Sequence, residues 1–155
     1  MNSLTDERLV RALIEAGQQG AQIDLIVRGA CILPAQVPGL TERIRVRSII
    51  GSMLEHTRVF LFQVGPLSEL YLSSADWMNR NMVRRIEIAW PVKDAALKER
   101  IMAECLGNYL ADTQDAWVLQ PDGRYKPLMM ASTTKGAGRR SVSAQAALMT
   151  QYAAS

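Results

Sequence analysis

Apolar positions along the first stretch recur at helical spacing. Leu9, Ala12, Leu13 and Ala16 share one face, which predicts a helix capped by Ser3 or Thr5, with Asp6 and Glu7 at the positive end of its dipole and Gly17 and Gly20 stopping it. The run Ile23–Gly29 (IDLIVRG) then turns almost wholly apolar and branched, the pattern of a central strand buried on both faces with Arg28 at its carboxyl end. Ala30–Gly39, with Pro34, Pro38 and Gly39, reads as a loop, and Thr41 caps a short turn after it. From Ile44 to Ile50 apolar and basic residues alternate, so a half-exposed strand is expected with one face in the core and one face basic. Val59–Phe62 and Leu70–Ser73 read as two strands about a Gly-Pro turn. Arg84–Trp90 reads as another, ended by Pro91. Asp94–Tyr109 carries a strong stripe of Leu97, Ile101, Cys105, Leu106, Tyr109 and Leu110, predicting an amphipathic helix whose stripe packs in the core. Trp117–Leu119 and Tyr125–Leu128 flank Pro121-Asp122-Gly123-Arg124 as a hairpin. Ser132–Ser141 is polar, basic and glycine-containing, the composition of a mobile loop, and Ser143–Tyr152 is an Ala-rich terminal helix.

This order of elements predicts an α/β fold: a mixed sheet flanked by helices, with a hairpin and a helix near the carboxyl end. A chain of 155 residues with 48% hydrophobic and 21% charged residues suits one globular domain. We expect residues 1–130 to form the domain proper and 131–155 a basic loop and short helix appended to it. No apolar run reaches the roughly 18 residues of a membrane span, and Met1–Asp6 lacks the pattern of a signal peptide, so a cytoplasmic protein is expected, with membrane association a further expectation. Cys31 and Cys105 stand far apart without a CxxC partner, which points to two buried, reduced thiols and to neither a zinc site nor a disulfide framework.

Charge sharpens the picture more than its net value of +3 suggests. Fourteen of the eighteen basic residues are arginine, and seven of these fall between Arg43 and Arg85 against only Glu55, Glu69 and Asp76. Arginine presents a planar fork of donors that grips phosphate oxygens in pairs. The surplus surrounds the single histidine, His56, with Arg58 two residues later. The predicted strand pair would return the loop Ser73-Ser74-Ala75-Asp76-Trp77 to the histidine's side. Imidazole serves as nucleophile or general acid/base near neutral pH. A phosphate site built from Arg28, His56, Arg58 and Ser74 is one reading. A structural histidine beside an apolar strand, among solvated arginines, is the other. Few aromatics accompany the arginines and no nucleic-acid motif is evident, so no nucleic acid is expected. GxGxxG and GxxxxGK[ST] are both absent.

Several blocks, in order, carry a resemblance: NSLTD, IDLIVRGAC, PGLTERIRVRSIIGSMLEHTRVFLF, YLSSADWMNRN and RRIEIAWPV. Together they resemble the carboxy-terminal domain of the long-type bacterial polyphosphate kinases. The resemblance implies half of a phospholipase D-like fold, in which two related halves each contribute a histidine. His56-Thr57-Arg58 has Arg where that superfamily has Lys, and Asp76 stands where Asn is usual, as in the kinase branch. It further implies reversible transfer of the terminal phosphoryl group of ATP to polyphosphate, with magnesium and a phosphohistidine intermediate. His56 then resembles the second active-site histidine, and Arg28 the arginine on the nucleotide phosphates. Arg58 and Ser74 are added from spacing as phosphate contacts. No metal ligands are expected within the chain; those for magnesium, and the phosphorylated histidine, would lie in preceding domains. On this reading the partners are ATP or ADP, polyphosphate and those domains, a homo-oligomer is expected, and the isolated chain would be inactive. A homodimeric phospholipase D-like phosphodiesterase or nuclease, and a non-catalytic polyphosphate-binding module, remain open as alternatives.

Overall fold

The computed structural model describes residues 1–128 and 141–153, an α/β arrangement of two sheets flanked by helices. Helix α1 spans Glu7–Gln18, and its cap is Asp6, whose carboxylate accepts from the backbone N–H of Arg8 at 3.1 Å and of Leu9 at 3.2 Å. Ser3 and Thr5 do not cap it, because the chain is still extended there: Trp77 N–H donates to Ser3 C=O, and Thr5 N–H to Trp77 C=O. Gly17 lies inside α1 and lets it approach the strand that begins at Ile44, since a Cβ there would stand 3.3 Å from Ile44 Cγ1. The helix gives way at Gly20, whose φ of +105° suits glycine.

Four strands form the first sheet: β1 (Ile23–Ile26), β2 (Ile44–Ile49), β6 (Ala116–Leu119) and β7 (Tyr125–Pro127), in the order β1-β2-β6-β7. β1 runs parallel to β2, with Ile23 opposite Ile44, and the other pairs are antiparallel. The second sheet is an antiparallel meander of β3 (Val59–Val64), β4 (Leu67–Ser73) and β5 (Ala89–Pro91). Both predicted hairpins form, at Gly65-Pro66 and about Gly123, where φ values of +57° and +81° favour glycine. Leu4, Val10, Leu25, Val27, Leu33, Ala35, Ile44, Val46 and Leu119 make the core between α1 and the first sheet.

Three further expectations need correction. β1 is an edge strand of four residues and is not buried on both faces: only Leu25 within it is buried. Val27 N–H still donates to Arg47 C=O at 2.8 Å, and from Ile26 on the chain also pairs with its own amino-terminal segment. The Met1 amine donates to Ile26 C=O at 3.0 Å, Gly29 N–H to Asn2 C=O and Leu4 N–H to Ala30 C=O, both at 2.8 Å. Leu4 bridges Cys31 on one side and Trp77 on the other, so Met1–Leu4 is the seam between the two sheets. Arg84–Trp90 is mostly not strand. Arg80–Arg84 forms a π-helical turn, Ile86 is fully exposed, and pairing with β4 begins only at Ala89.

The third correction concerns the helix predicted over 94–109. It forms as α2 (Ala95–Ile101), a π-helical turn (Met102–Gly107) and α3 (Asn108–Ala111), capped by Asp94 on Leu97 N–H at 2.8 Å. Its apolar stripe does not enter the core, for none of its residues is buried. Cys105, Leu106, Tyr109 and Leu110 instead wall a groove of about 590 Å³, lined also by β1, β3 and the α1 residues Leu13 and Ala16. Each of those strands lies at the edge of its sheet, which leaves two strand edges bordering one apolar space. Cys31 and Cys105 are free, half-buried thiols. The predicted Ser132–Ser141 loop lies, apart from Ser141, outside the described residues. The terminal helix forms as α4 (Ala144–Ala153) and docks on the fold: Ala144 N–H donates to the buried Asp112 carboxylate at 2.7 Å.

Candidate functional site

Arg28 leaves the first sheet two residues after β1, half-buried, with its carbonyl accepting from Ser48 Oγ at 2.8 Å. Its guanidinium reaches the seam, where Nε and Nη2 donate to Asn2 Oδ1 at 2.8 and 2.5 Å. Asn2 N–H in turn donates to Asp76 Oδ1 at 2.7 Å, joined there by Ser3 N–H at 3.3 Å. Asp76 is 3% exposed and lies just after β4; its other oxygen takes Arg58 Nη2 at 2.9 Å. Arg58 Nη1 closes the series on the carbonyl of His56 at 3.0 Å. Arg28, Asn2, Asp76, Arg58 and the His56 backbone are therefore linked by one unbroken run of hydrogen bonds that crosses from one sheet to the other.

The electrostatics follow from this geometry. Burial pushes the Asp76 carboxyl upward, but the Arg58 hydrogen bond and the two backbone N–H groups outweigh it, and Asp76 is held below the usual carboxylate range. Each arginine keeps a donor in hand. Arg28 Nη1 and Arg58 Nε are buried and have no hydrogen-bond partner among the described residues. A desolvated N–H without an acceptor costs about 1–3 kcal/mol, so an added acceptor oxygen at this place would be stabilised strongly.

His56 is exposed, on the irregular arm Gly51–Arg58 that precedes β3. Among the described residues no hydrogen bond or ion pair engages its ring, which is accessible to a ligand. Ser74 does not bond to His56. Its hydroxyl donates to Glu87 and accepts from Ile88 N–H at 3.1 Å. Glu87 also takes Asn81 Nδ2 at 2.6 Å and lies 3.5 Å from Arg85 Nε; the Ser74 and Asn81 hydrogen bonds hold its carboxyl below the ordinary range. The structure thus joins Arg28, Arg58 and the His56 backbone, and ties Ser74 to a second cluster with Glu87. Sequence reasoning passed over Asn2 and Glu87. Glu87, as the one acid in Arg84-Arg85-Ile86-Glu87, carried a signal; Asn2 carried none in spacing or periodicity. Among the described residues no group of three or more His, Cys, Asp or Glu is placed to hold a metal ion.

Comparison with known proteins bears on the same residues. The model of the family described as polyphosphate kinase C-terminal domain 2 matches residues 1–144. The polyphosphate kinase of Burkholderia vietnamiensis is 49% identical over 137 residues, which is 88% of this chain and 20% of that protein. That of Paraburkholderia phytofirmans is 51% identical over 126 residues, 81% of this chain and 18% of the relative. The crystal structure of polyphosphate kinase from Porphyromonas gingivalis superposes with a TM-score of 0.88 at 34% identity, covering 99% of this chain and 22% of the other. The chain spans about a fifth of the length of the curated relatives it matches.

Proposed function

Because the chain belongs to the polyphosphate kinase C-terminal domain 2 family, we propose that it supplies half of an active site for reversible transfer of the terminal phosphoryl group of ATP to polyphosphate. The observation that carries this reading is the hydrogen-bonded run from Arg28 through Asn2, Asp76 and Arg58 to His56. It fixes two guanidinium groups, each with a spare buried donor, and ties one of them to the backbone of the exposed His56.

A phosphoryl group in transfer spreads negative charge over its equatorial oxygens, so catalysis is mostly positioning and fixed positive charge. Arg28 holds nucleotide phosphate and Arg58 a neighbouring phosphate oxygen, while Asp76 keeps Arg58 aimed and Asn2 keeps Arg28 aimed. His56 donates a hydrogen bond or proton to the bridging oxygen as the bond to it breaks, and recovers it in the reverse direction. Ser74 completes the set, its hydroxyl donating to a phosphate oxygen when it gives up Glu87. Magnesium, if it serves this reaction, takes its ligands from the phosphates and from residues outside this chain. The phosphorylated histidine likewise comes from outside, since His56 is the single histidine here. The partner is the remaining chain of a longer kinase, in the cytoplasm. The two bordering strand edges and the apolar groove between them support this, because an added strand would satisfy both.

The test is complementation. The chain is mixed with the remaining four-fifths of a relative's kinase, and ADP-dependent consumption of polyphosphate is measured. Turnover that needs both parts and is abolished by His56→Ala supports the assignment; undiminished turnover with His56→Ala overturns it. Magnesium-independent cleavage of a phosphodiester by the chain alone identifies the phosphodiesterase instead. Salt-sensitive polyphosphate binding without any rescue of turnover identifies a binding module.

A further inference from the structure

The arm that carries His56 has no helix or strand of its own from Gly51 to Arg58, yet it is held from outside. Gln145, in the first turn of α4 and 6% exposed, treats Met53 as a neighbouring strand would. Its Oε1 accepts from Met53 N–H at 2.9 Å, and its Nε2 donates to Met53 C=O at 2.8 Å. The same Nε2 donates to Glu55 Oε1 at 2.8 Å, and Tyr109 of α3 donates its hydroxyl to that oxygen at 2.6 Å. Burial, and after it the bond to Glu55, push the Tyr109 phenol above its ordinary value, so it stays a donor across the working pH range.

Two further contacts give the arrangement its purpose. Gly51 makes the space, for a Cβ at that position would fall 2.3 Å from Gln145 Oε1. At the far end of the arm, Arg58 Nη1 grips the His56 carbonyl. The arm is thus pinned just before the histidine by α3 and α4, and at the histidine by the guanidinium of the phosphate cluster. α4 is itself anchored by Asp112 on Ala144 N–H, and by Ser143 Oγ donating to Asp115 Oδ2 at 2.7 Å.

We propose that Gln145 and Tyr109 are positioning residues for His56, so that the carboxy-terminal helix is a latch holding the histidine arm in register with Arg28 and Arg58. The inference rests on the reading of His56 as a phosphoryl-transfer residue. Gln145 falls just beyond the residues matched by the family model, which end at 144. Neither it nor Tyr109 needs to touch substrate; a displacement of about 1 Å in a reacting group is enough to cost on the order of 100-fold in rate.

Gln145→Ala and Gly51→Ala test this from two directions. In the 155-residue chain, amide hydrogen exchange of Met53, whose N–H donates to Gln145 Oε1, is expected to quicken about tenfold or more in Gln145→Ala while that of β2 is unchanged. Gly51→Ala evicts the Gln145 amide and is expected to copy it, and the double variant should be no faster than either single one. The lone imidazole gives one set of ring resonances, which should move toward those of an unstructured histidine. In the complemented enzyme, kcat is expected to fall about 10- to 100-fold with KM for ATP changed less than about threefold. Unchanged exchange in both Gln145→Ala and Gly51→Ala overturns the latch, as does faster exchange with kcat intact. If exchange responds as expected but His56→Ala leaves turnover whole, the fault lies in the catalytic reading of His56 and not in the latch.

Discussion

Removing the Asp76 carboxylate breaks the junction on which the two sheets and both arginines depend. The group is 3% exposed and accepts from Arg58 Nη2, Asn2 N–H and Ser3 N–H. Its loss strands a guanidinium whose side chain is only 18% exposed. Breaking a buried ion pair from one side costs about 3–5 kcal/mol, and the partial exposure of Arg58 places Asp76→Ala at about 3 kcal/mol. Against a total stability of about 5–15 kcal/mol for a domain, that is a large share. Asp76→Asn keeps the shape and one acceptor and should lose less. Urea unfolding at neutral pH, followed by tryptophan fluorescence with Trp77 one residue away, reads the loss as a lower midpoint at constant slope. Combining Asp76→Ala with Arg58→Ala should show coupling of at least about 1 kcal/mol, because the second change removes the charge that the first left unpaired. A loss below about 1 kcal/mol for Asp76→Ala, or strict additivity in the cycle, would refute the reasoning that this pair holds the seam.

Other outcomes follow from the same contacts. Asp76 and Asp6 both have carboxyl groups held below their ordinary values: in Asp76 burial raises but Arg58 and the backbone donors prevail, and in Asp6 the Arg8 hydrogen bond leads. The unfolded chain therefore binds more protons in acid, so stability is full above the unfolded carboxyl value of about 4 and is lost as pH falls through the depressed folded values. Asp76→Asn should flatten that acid limb in urea midpoints measured from pH 7 down to pH 3. Asp6→Ala removes the cap of α1 and should cost about 0.5–2 kcal/mol, lowering the calorimetric Tm by roughly 2–8 °C. Gly20→Ala, at φ +105° with open space around it, should cost about 1 kcal/mol by strain alone, with no change in the urea m-value.

Local pattern was enough for the class of each long element. The period-3.6 runs at Leu9–Ala16 and Leu97–Leu110 do form helical segments, and Asp122-Gly123 and Gly65-Pro66 do turn hairpins. Where local reasoning failed, a distant partner had decided the matter. The apolar run Ile23–Val27 looks like a central strand because side-chain composition cannot distinguish burial under a neighbouring strand from exposure to an apolar groove. The stripe on α2 and α3 was misplaced for the same reason. Ser74 is expected near His56 because the strand pair returns its loop to that side, but the acceptor its hydroxyl finds is Glu87, 13 residues on.

The sequence alone determined the helices, the turns, the α/β class and the arginine surplus about one histidine, because each depends on residues a few positions apart. Only the tertiary structure decided that Asn2 meets Asp76 across 74 residues and that Gln145 meets Met53 across 92. Such contacts depend on shape, on which donors remain unsatisfied, and on the entropy of closing long loops. None of these can be read from neighbouring residues in the chain.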